Sequence, residues 1–136
     1  MSKVQIKTPF FMFNPKSYLY GDEMVEMAKV AEEMAVKYPE ASVFVTCPFA
    51  SISQVAAVTD KAIVSAQHLD GIKPGRGMGH VLPEALKAAG AQASFINHAE
   101  RPLTFDEIIK AVERADELGI VTVVCANSLK EARAIA

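Results

Sequence analysis

The 136-residue sequence has few cysteines, no long apolar run and no excess of charge of either sign. Its 14 basic and 16 acidic residues leave a net charge of -2, which excludes the strong electrostatic field that gathers nucleic acid or anionic lipid. The apolar stretch FFMF near the start is too short to cross a membrane, and no cleavage signal accompanies it. We therefore expect no nucleic-acid or membrane partner, which leaves small neutral or anionic metabolites as candidate ligands.

The two cysteines, Cys47 and Cys125, are far apart and have neither CxxC nor metal-type spacing. Each lies in an apolar run, so both are predicted to be reduced core residues. Free thiols of this kind are typical of a reducing compartment, and the sequence therefore predicts a cytoplasmic protein.

Short apolar runs alternate with amphipathic helical segments along the whole chain, and no linker or low-complexity segment interrupts them. Within each run, apolar residues follow one another without polar alternation, which is typical of strands covered on both faces. We therefore predict a single α/β domain over residues 1–136 with a parallel sheet. The predicted strands are residues 8–14, 42–47, 62–67, 93–97 and 120–126.

Helices are predicted between these strands. A helix between Thr104 and Gly119 opens with a capping box formed by Thr104 and Glu107. A second capping box, Ser128 with Glu131, opens a helix that the sequence follows for roughly two turns. An earlier helix over residues 22–38 has apolar side chains at helical spacing, and the residues predicted to share one face are Met24, Ala28, Ala31, Ala35 and Tyr38.

Five strands with intervening helices fit two parallel architectures. One is a complete doubly wound, flavodoxin-like binding module, in which the strand order reverses about the first strand. The other is a (β/α)8 barrel. The strands recur about every 28 residues, so eight units would need on the order of 220 residues. The short last helix favours the barrel. In this interpretation, the chain is the amino-terminal part of a barrel with about five β/α units.

Polar residues follow three of the predicted strands: NPKSY after the first, AQHLDGIKPGRGMGHVLPEAL after the third and NHAERP after the fourth. In either architecture, functional side chains gather beyond the carboxyl ends of parallel strands. Lys16 and His98 are therefore predicted to share one rim of the sheet. A lysine that neutralises anionic oxygen beside an imidazole that moves protons suits a phosphorylated or enolisable substrate.

Each of these residues also has a simpler reading. Lys16 could be a solvated surface lysine, and His98 could cap the following turn through its ring. Glu100 and Arg101 could form a surface ion pair of little energetic value.

The third loop carries two further histidines and several glycines. His68 and His80 are predicted to anchor this loop rather than to perform chemistry. The glycines of KPGRGMG do not have the GxGxxG spacing of a dinucleotide site, so we interpret them as turn residues.

Taken in order, NPKSY, AQHLDGIKPGRGMGHVLPEAL, NHAERP and VVCAN closely resemble the corresponding segments of triosephosphate isomerases, above all those of the short archaeal branch. The resemblance covers nearly the whole chain, from about Phe11 onward. It implies a TIM barrel, and an aldose to ketose isomerase that interconverts glyceraldehyde 3-phosphate and dihydroxyacetone phosphate through an enediol(ate). It also implies a homo-oligomeric enzyme of glycolysis and gluconeogenesis that uses no metal and no organic cofactor.

The resemblance also implies roles for individual residues. Asn14 and Lys16 match the family's substrate-binding asparagine and lysine, and the lysine additionally stabilises the developing negative charge. His98 matches the catalytic histidine, a neutral electrophile whose chemistry is among the established examples of pKa tuning. Glu100 matches a supporting carboxylate that pairs with the lysine.

This sequence departs from the family pattern in three places. Pro15 stands where an aromatic residue is usual, and Met78 stands where a threonine usually reaches into a partner subunit's site. The third departure concerns the glutamate base after strand six and the phosphate-binding amides after strands seven and eight, which the 136 residues do not include. Without a base we expect this chain alone to be a very poor isomerase.

Two alternative functions follow from these departures. A different small sugar phosphate, such as a tetrulose phosphate, could be the substrate. Alternatively, the chain could be a half-barrel scaffold without catalytic activity.

Overall fold

The computed structural model describes residues 3–136, which form five strands and five α-helices in strict alternation. A single 3-10 turn, Phe49–Ser51, precedes α2. The elements are β1 (Phe10–Phe13), α1 (Gly21–Lys37), β2 (Ser42–Cys47), α2 (Ile52–Ala56), β3 (Ile63–Ala66), α3 (Pro83–Ala89), β4 (Ala93–Ile96), α4 (Phe105–Leu118), β5 (Val121–Val124) and α5 (Leu129–Ile135). All five predicted strands are present, each within the predicted range.

The five strands form one parallel sheet in the sequential order β1-β2-β3-β4-β5. Phe11 lies opposite Val43 across the first pair, and Ala93 lies opposite Val121 across the last. A flavodoxin-like module requires the strand order to reverse, so that alternative is wrong. The sheet is a curled half-barrel, as expected for five consecutive units of a (β/α)8 fold.

The core lies mainly between the sheet and the helices, because successive strand residues point to opposite faces. In β2, Val43 and Val45 pack towards the helices, whereas Phe44 packs with Ile63 and Ala93 on the concave face. The larger apolar cluster is therefore on the helical side. The smaller cluster fills the concave face, which in a closed barrel becomes the packed interior.

The structure confirms most of the predicted helical features. Met24, Ala28, Ala31 and Ala35 are buried, whereas Tyr38 at the end of the same face is exposed. Tyr38 is the C-cap of α1 with φ -121°, and 40% of its surface is exposed. It still lines an apolar surface groove together with Ala31 and Met34 of α1.

The two predicted capping boxes have different outcomes. The box of Thr104 with Glu107 at α4 is complete. At α5 only half of the box forms: Ser128 Oγ accepts from the N–H of Glu131, but the Glu131 carboxylate accepts from Asn127 N–H instead of returning to Ser128.

The cysteines are free thiols, but only one of them belongs to the core. Cys47 is fully buried, and burial raises the pKa of its thiol to about 12, so it is unreactive. Cys125 is only half-buried, because it follows β5 at the uncovered edge of the sheet. Burial raises its pKa as well. No helix within residues 3–136 is long and apolar enough to span a bilayer.

Candidate active site

The loop after β1 holds Lys16 in a left-handed backbone conformation, with φ +51°. This conformation is uncommon for a residue with a side chain. Two hydrogen bonds support it: Lys16 N–H donates to Asn14 Oδ1 over 3.0 Å, and Gln67 Nε2 donates to the Lys16 carbonyl over 2.5 Å. The backbone of Lys16 is thereby tied both to its own loop and to the end of β3.

The loop after β4 determines the state of the His98 ring. The N–H of Glu100 donates to His98 Nδ1 over 3.1 Å. Because a backbone N–H can only donate, Nδ1 must be the unprotonated nitrogen of a neutral imidazole, and the ring proton is on Nε2. The interpretation of His98 as a side chain that caps the following turn is therefore correct. The same hydrogen bond at Nδ1 directs Nε2–H away from the loop.

Glu100 does not form the ion pair with Lys16 that the resemblance implied. Its Oε2 lies 3.7 Å from His98 Nδ1, too far for a hydrogen bond, and 65% of the side chain is exposed. Among the described side chains, neither Lys16 nor Arg101 lies within ion-pair distance of Glu100. The carboxylate points towards solvent because the Glu100 backbone is committed to the turn that closes on His98.

The two loops meet over one cavity of about 300 Å³ at the carboxyl end of the sheet. All four predicted site residues line it, and Arg101 adds a second cation to Lys16. The lining also includes the ring of Phe95, which meets the His98 ring edge-on with centroids 6.4 Å apart. The residues that line the cavity include Asn14, Lys16, Gln67, Phe95, His98 and Glu100.

The third loop is anchored as predicted, through Asp70. His68 Nε2 lies 2.8 Å from Asp70 Oδ1, His80 Nδ1 lies 3.5 Å from Oδ2, and Val81 N–H donates to Oδ2 over 2.6 Å. Arg101 approaches the same carboxylate at 4.0 Å. Asp70 therefore connects the third loop to the loop that carries His98.

The pKa of Asp70 reflects this network. Burial acts to raise the pKa of the carboxyl, but the hydrogen bonds from Val81 and His68 and the charges of His68 and His80 hold it below its ordinary value. A carboxylate with a depressed native pKa stabilises the fold above its unfolded pKa, and this stabilisation disappears as the pH falls through the native value.

We predict that Asp70→Asn lowers the free energy of unfolding at neutral pH by about 1 to 3 kcal/mol, because hydrogen bonds to a charged acceptor are lost. The variant should also lose part of the decline in stability that the parent shows below about pH 4. Urea unfolding at a series of pH values measures both effects. Asp60→Asn is the control, since Asp60 is 81% exposed and pairs with its neighbour Lys61. An unchanged acid profile in Asp70→Asn would contradict the assignment.

Sequence reasoning missed two residues that support the site, Gln67 and Asn97. Gln67 donates to the Lys16 carbonyl from the end of β3, and Asn97 immediately precedes His98 with φ +58°. The one available signal was their position, since each is an amide residue just after a buried parallel strand.

Within residues 3–136, no group of three or more histidine, cysteine, aspartate or glutamate side chains is arranged to hold a metal ion.

Sequential strand order, together with polar side chains gathered beyond the carboxyl ends of the strands, places this chain in the class of (β/α)8-barrel proteins. A crystal structure of triosephosphate isomerase from Bartonella henselae has the same fold, with a TM-score of 0.76 over 93% of this chain and 55% of that chain at 21% identity. The family model for triosephosphate isomerase matches residues 9–136, and the chain belongs to that family.

Curated relatives agree with this assignment. The triosephosphate isomerase of Methanoculleus marisnigri is 40% identical over 89% of this chain, and that of Methanobacterium bryantii is 36% identical over 96%. The match corresponds to the amino-terminal portion of archaeal-type members, as the sequence predicted. The chain spans 54% and 58% of the length of these two relatives.

Proposed function

We propose that this chain contributes the electrophilic part of an active site that interconverts glyceraldehyde 3-phosphate and dihydroxyacetone phosphate through an enediolate. The observation that carries the proposal is that Lys16 and His98 line one cavity while a backbone N–H occupies His98 Nδ1. The protonated Nε2 is then the nitrogen free to donate to a substrate oxygen.

Each side chain has a distinct role in this reaction. When a base removes the proton from the carbon beside the carbonyl, the electron pair forms the C=C bond of the enediolate and charge moves onto the carbonyl oxygen. His98 Nε2–H donates to that oxygen, and the Lys16 ammonium stabilises the charge as it develops. A neutral imidazole suits this step because it donates one proton and accepts another when the two oxygens exchange protons.

Asn14 is proposed to orient the substrate. Its Oδ1 accepts from Lys16 N–H, which leaves the Nδ2 group of the amide to bind a substrate oxygen. Glu100 is proposed to support the rim electrostatically from its position beside the His98 ring.

The carbon base is proposed to come from outside the 136 residues. Among the described residues, Glu100 is the one carboxylate lining the cavity, and it lies on the Nδ1 side of His98. It is therefore poorly placed to take a proton from a substrate held at Nε2.

We further propose that the protein works as a homo-oligomer in the cytoplasm. Support for association comes from β1 at the edge of the sheet, where Phe10 and Phe11 are 54% and 64% exposed, since unpaired apolar edges favour self-association. Support for the compartment comes from the two free thiols.

The test compares this chain with a completed chain, in which residues 1–136 are followed by the part of the Methanoculleus marisnigri relative that this chain does not cover. We predict that the completed chain converts glyceraldehyde 3-phosphate and that the 136-residue chain is slower by a factor of at least about 100 to 10,000, the usual contribution of general acid-base catalysis. A coupled assay of both isomers, with a tetrulose phosphate as competing substrate, measures this. Faster conversion of the tetrulose phosphate, or equal rates for both chains, would contradict the proposal.

A further inference from the structure

Asn97 is an unusual residue to find directly before the histidine of the site. It directly follows β4, its φ is +58°, and only 4% of its surface is exposed. Asparagine adopts a left-handed backbone more readily than most residues, but this preference does not explain why Asn97 is buried. Because a buried amide group needs hydrogen-bond partners, the side chain must find them within the protein.

The Asn97 amide has partners on three segments of the chain. Its Oδ1 accepts from Leu103 N–H over 2.9 Å, and its Nδ2 donates to the Cys125 carbonyl over 2.9 Å and to Glu131 Oε1 over 3.2 Å. Leu103 precedes α4, Cys125 follows β5, and Glu131 is in the first turn of α5. One buried side chain thus joins the exits of two neighbouring strands to the start of a helix.

Glu131 is itself held in place. Its second carboxylate oxygen accepts from Asn127 N–H over 2.6 Å, and its backbone N–H donates to Ser128 Oγ over 3.1 Å. This explains why the capping box at α5 is incomplete, since the carboxylate is committed to Asn97 and Asn127. The interaction therefore connects Asn97 to an ordered helix start and not to a free surface side chain.

The loop from residue 97 to residue 103 is closed by these bonds into a compact ring. Asn97 Oδ1 joins its two ends through Leu103 N–H, and within it Arg101 N–H donates to the His98 carbonyl over 2.7 Å. The N–H of Glu100, which selects the tautomer of His98, belongs to the same ring. The position of that N–H consequently depends on the bonds that Asn97 makes.

We propose that Asn97 is a positioning residue, which holds the loop so that Glu100 N–H meets His98 Nδ1 and Nε2–H faces the cavity. Asn97 does not line the cavity, so it acts through His98 and not on the substrate. The inference rests on the proposed function for its catalytic meaning, but the control of the His98 ring is a property of this chain alone.

The test is nitrogen NMR of the imidazole rings in the 136-residue chain, above the pH at which the rings are protonated, with the His98 signals assigned by their loss in His98→Gln. In the parent, Nδ1 should have the chemical shift of an unprotonated nitrogen and Nε2 that of a protonated one. Asn97→Gly keeps the left-handed backbone and removes the amide, so we expect the two His98 signals to move towards the averaged values of exchanging tautomers.

Asn97→Asp is the second variant, because it retains the acceptor but replaces the donating nitrogen by an oxygen beside the Cys125 carbonyl and the Glu131 carboxylate. It should shift the His98 signals in the same direction, and it decides the question if Asn97→Gly does not fold. The control is Glu32→Gln. Glu32 also ties backbone N–H groups, those of Lys61 and Ala62, but at the opposite end of the sheet. We expect it to lower stability and to leave the His98 signals unchanged.

In the completed chain, Asn97→Gly should reduce kcat about 10-fold to 100-fold with little change in KM, as expected when a reacting group is misplaced. A single fixed tautomer in both Asn97 variants would overturn the inference, whatever the activity. The completed chain could show no isomerase activity while the His98 nitrogen signals of the Asn97 variants move towards the averaged values of exchanging tautomers. In that case the proposed function fails and the positioning role of Asn97 stands.

Discussion

Replacing His98 by glutamine should lower kcat of the completed chain by a factor of about 100 to 10,000, the range typical of a lost general acid-base group. Glutamine can still donate a hydrogen bond to the substrate, but it cannot pass a proton between the two oxygens of the enediolate. We therefore expect KM to change much less than kcat. Steady-state kinetics in both directions of the reaction measure the two parameters separately.

His80→Gln is the matched control for this experiment. His80 belongs to the third loop, where it lies 3.5 Å from Asp70, and its side chain is 56% exposed. It does not line the cavity. Activity of His80→Gln should stay within a few-fold of the parent. A His98→Gln enzyme that retains more than about a tenth of the parent kcat would contradict the assigned role.

Replacing Lys16 by methionine should reduce kcat/KM of the completed chain by a factor of about 100 to 1,000, comparable to the loss of one group that stabilises a developing oxyanion. The ammonium acts on an anionic substrate in the ground state and on a more localised charge in the transition state, so both KM and kcat should change. Removing the charge should also weaken the dependence of KM on ionic strength.

The backbone of Lys16 complicates this substitution, because its φ of +51° is strained for any residue with a side chain. Lys16→Gly separates the two effects, since glycine keeps the conformation and removes the ammonium. Equal losses in Lys16→Met and Lys16→Gly would assign the effect to the charge. Lys29→Gln, at an exposed ion pair on α1, should leave activity unchanged. Near-parent activity in Lys16→Gly would contradict the role of the ammonium.

The strands and their parallel arrangement could be predicted because uninterrupted apolar runs are a local signal. The rim position of Lys16 and His98 followed from the same signal, since strand exits in a parallel sheet share one edge. The sequential strand order could not be derived from periodicity alone. It was favoured by the short last helix and by the resemblance of the loops to triosephosphate isomerases.

The supporting contacts of the site could not be predicted, because they depend on which loops become neighbours. Gln67 reaches Lys16 across 51 positions and Asn97 reaches Glu131 across 34, and no local pattern in the sequence marks either pair. The predicted pairing of Glu100 with Lys16 failed for the same reason. The Glu100 backbone is fixed by its bond to His98, and this leaves the carboxylate facing solvent.

The most direct test of this account is a crystal structure of the completed chain with dihydroxyacetone phosphate bound. We predict that His98 Nε2 and Lys16 Nζ both lie within hydrogen-bond distance, about 2.7 to 3.2 Å, of the ligand's reacting oxygen atoms, with Glu100 N–H still bound to His98 Nδ1. A ligand seated away from this cavity, or an imidazole turned so that Nδ1 faces the ligand, would contradict it.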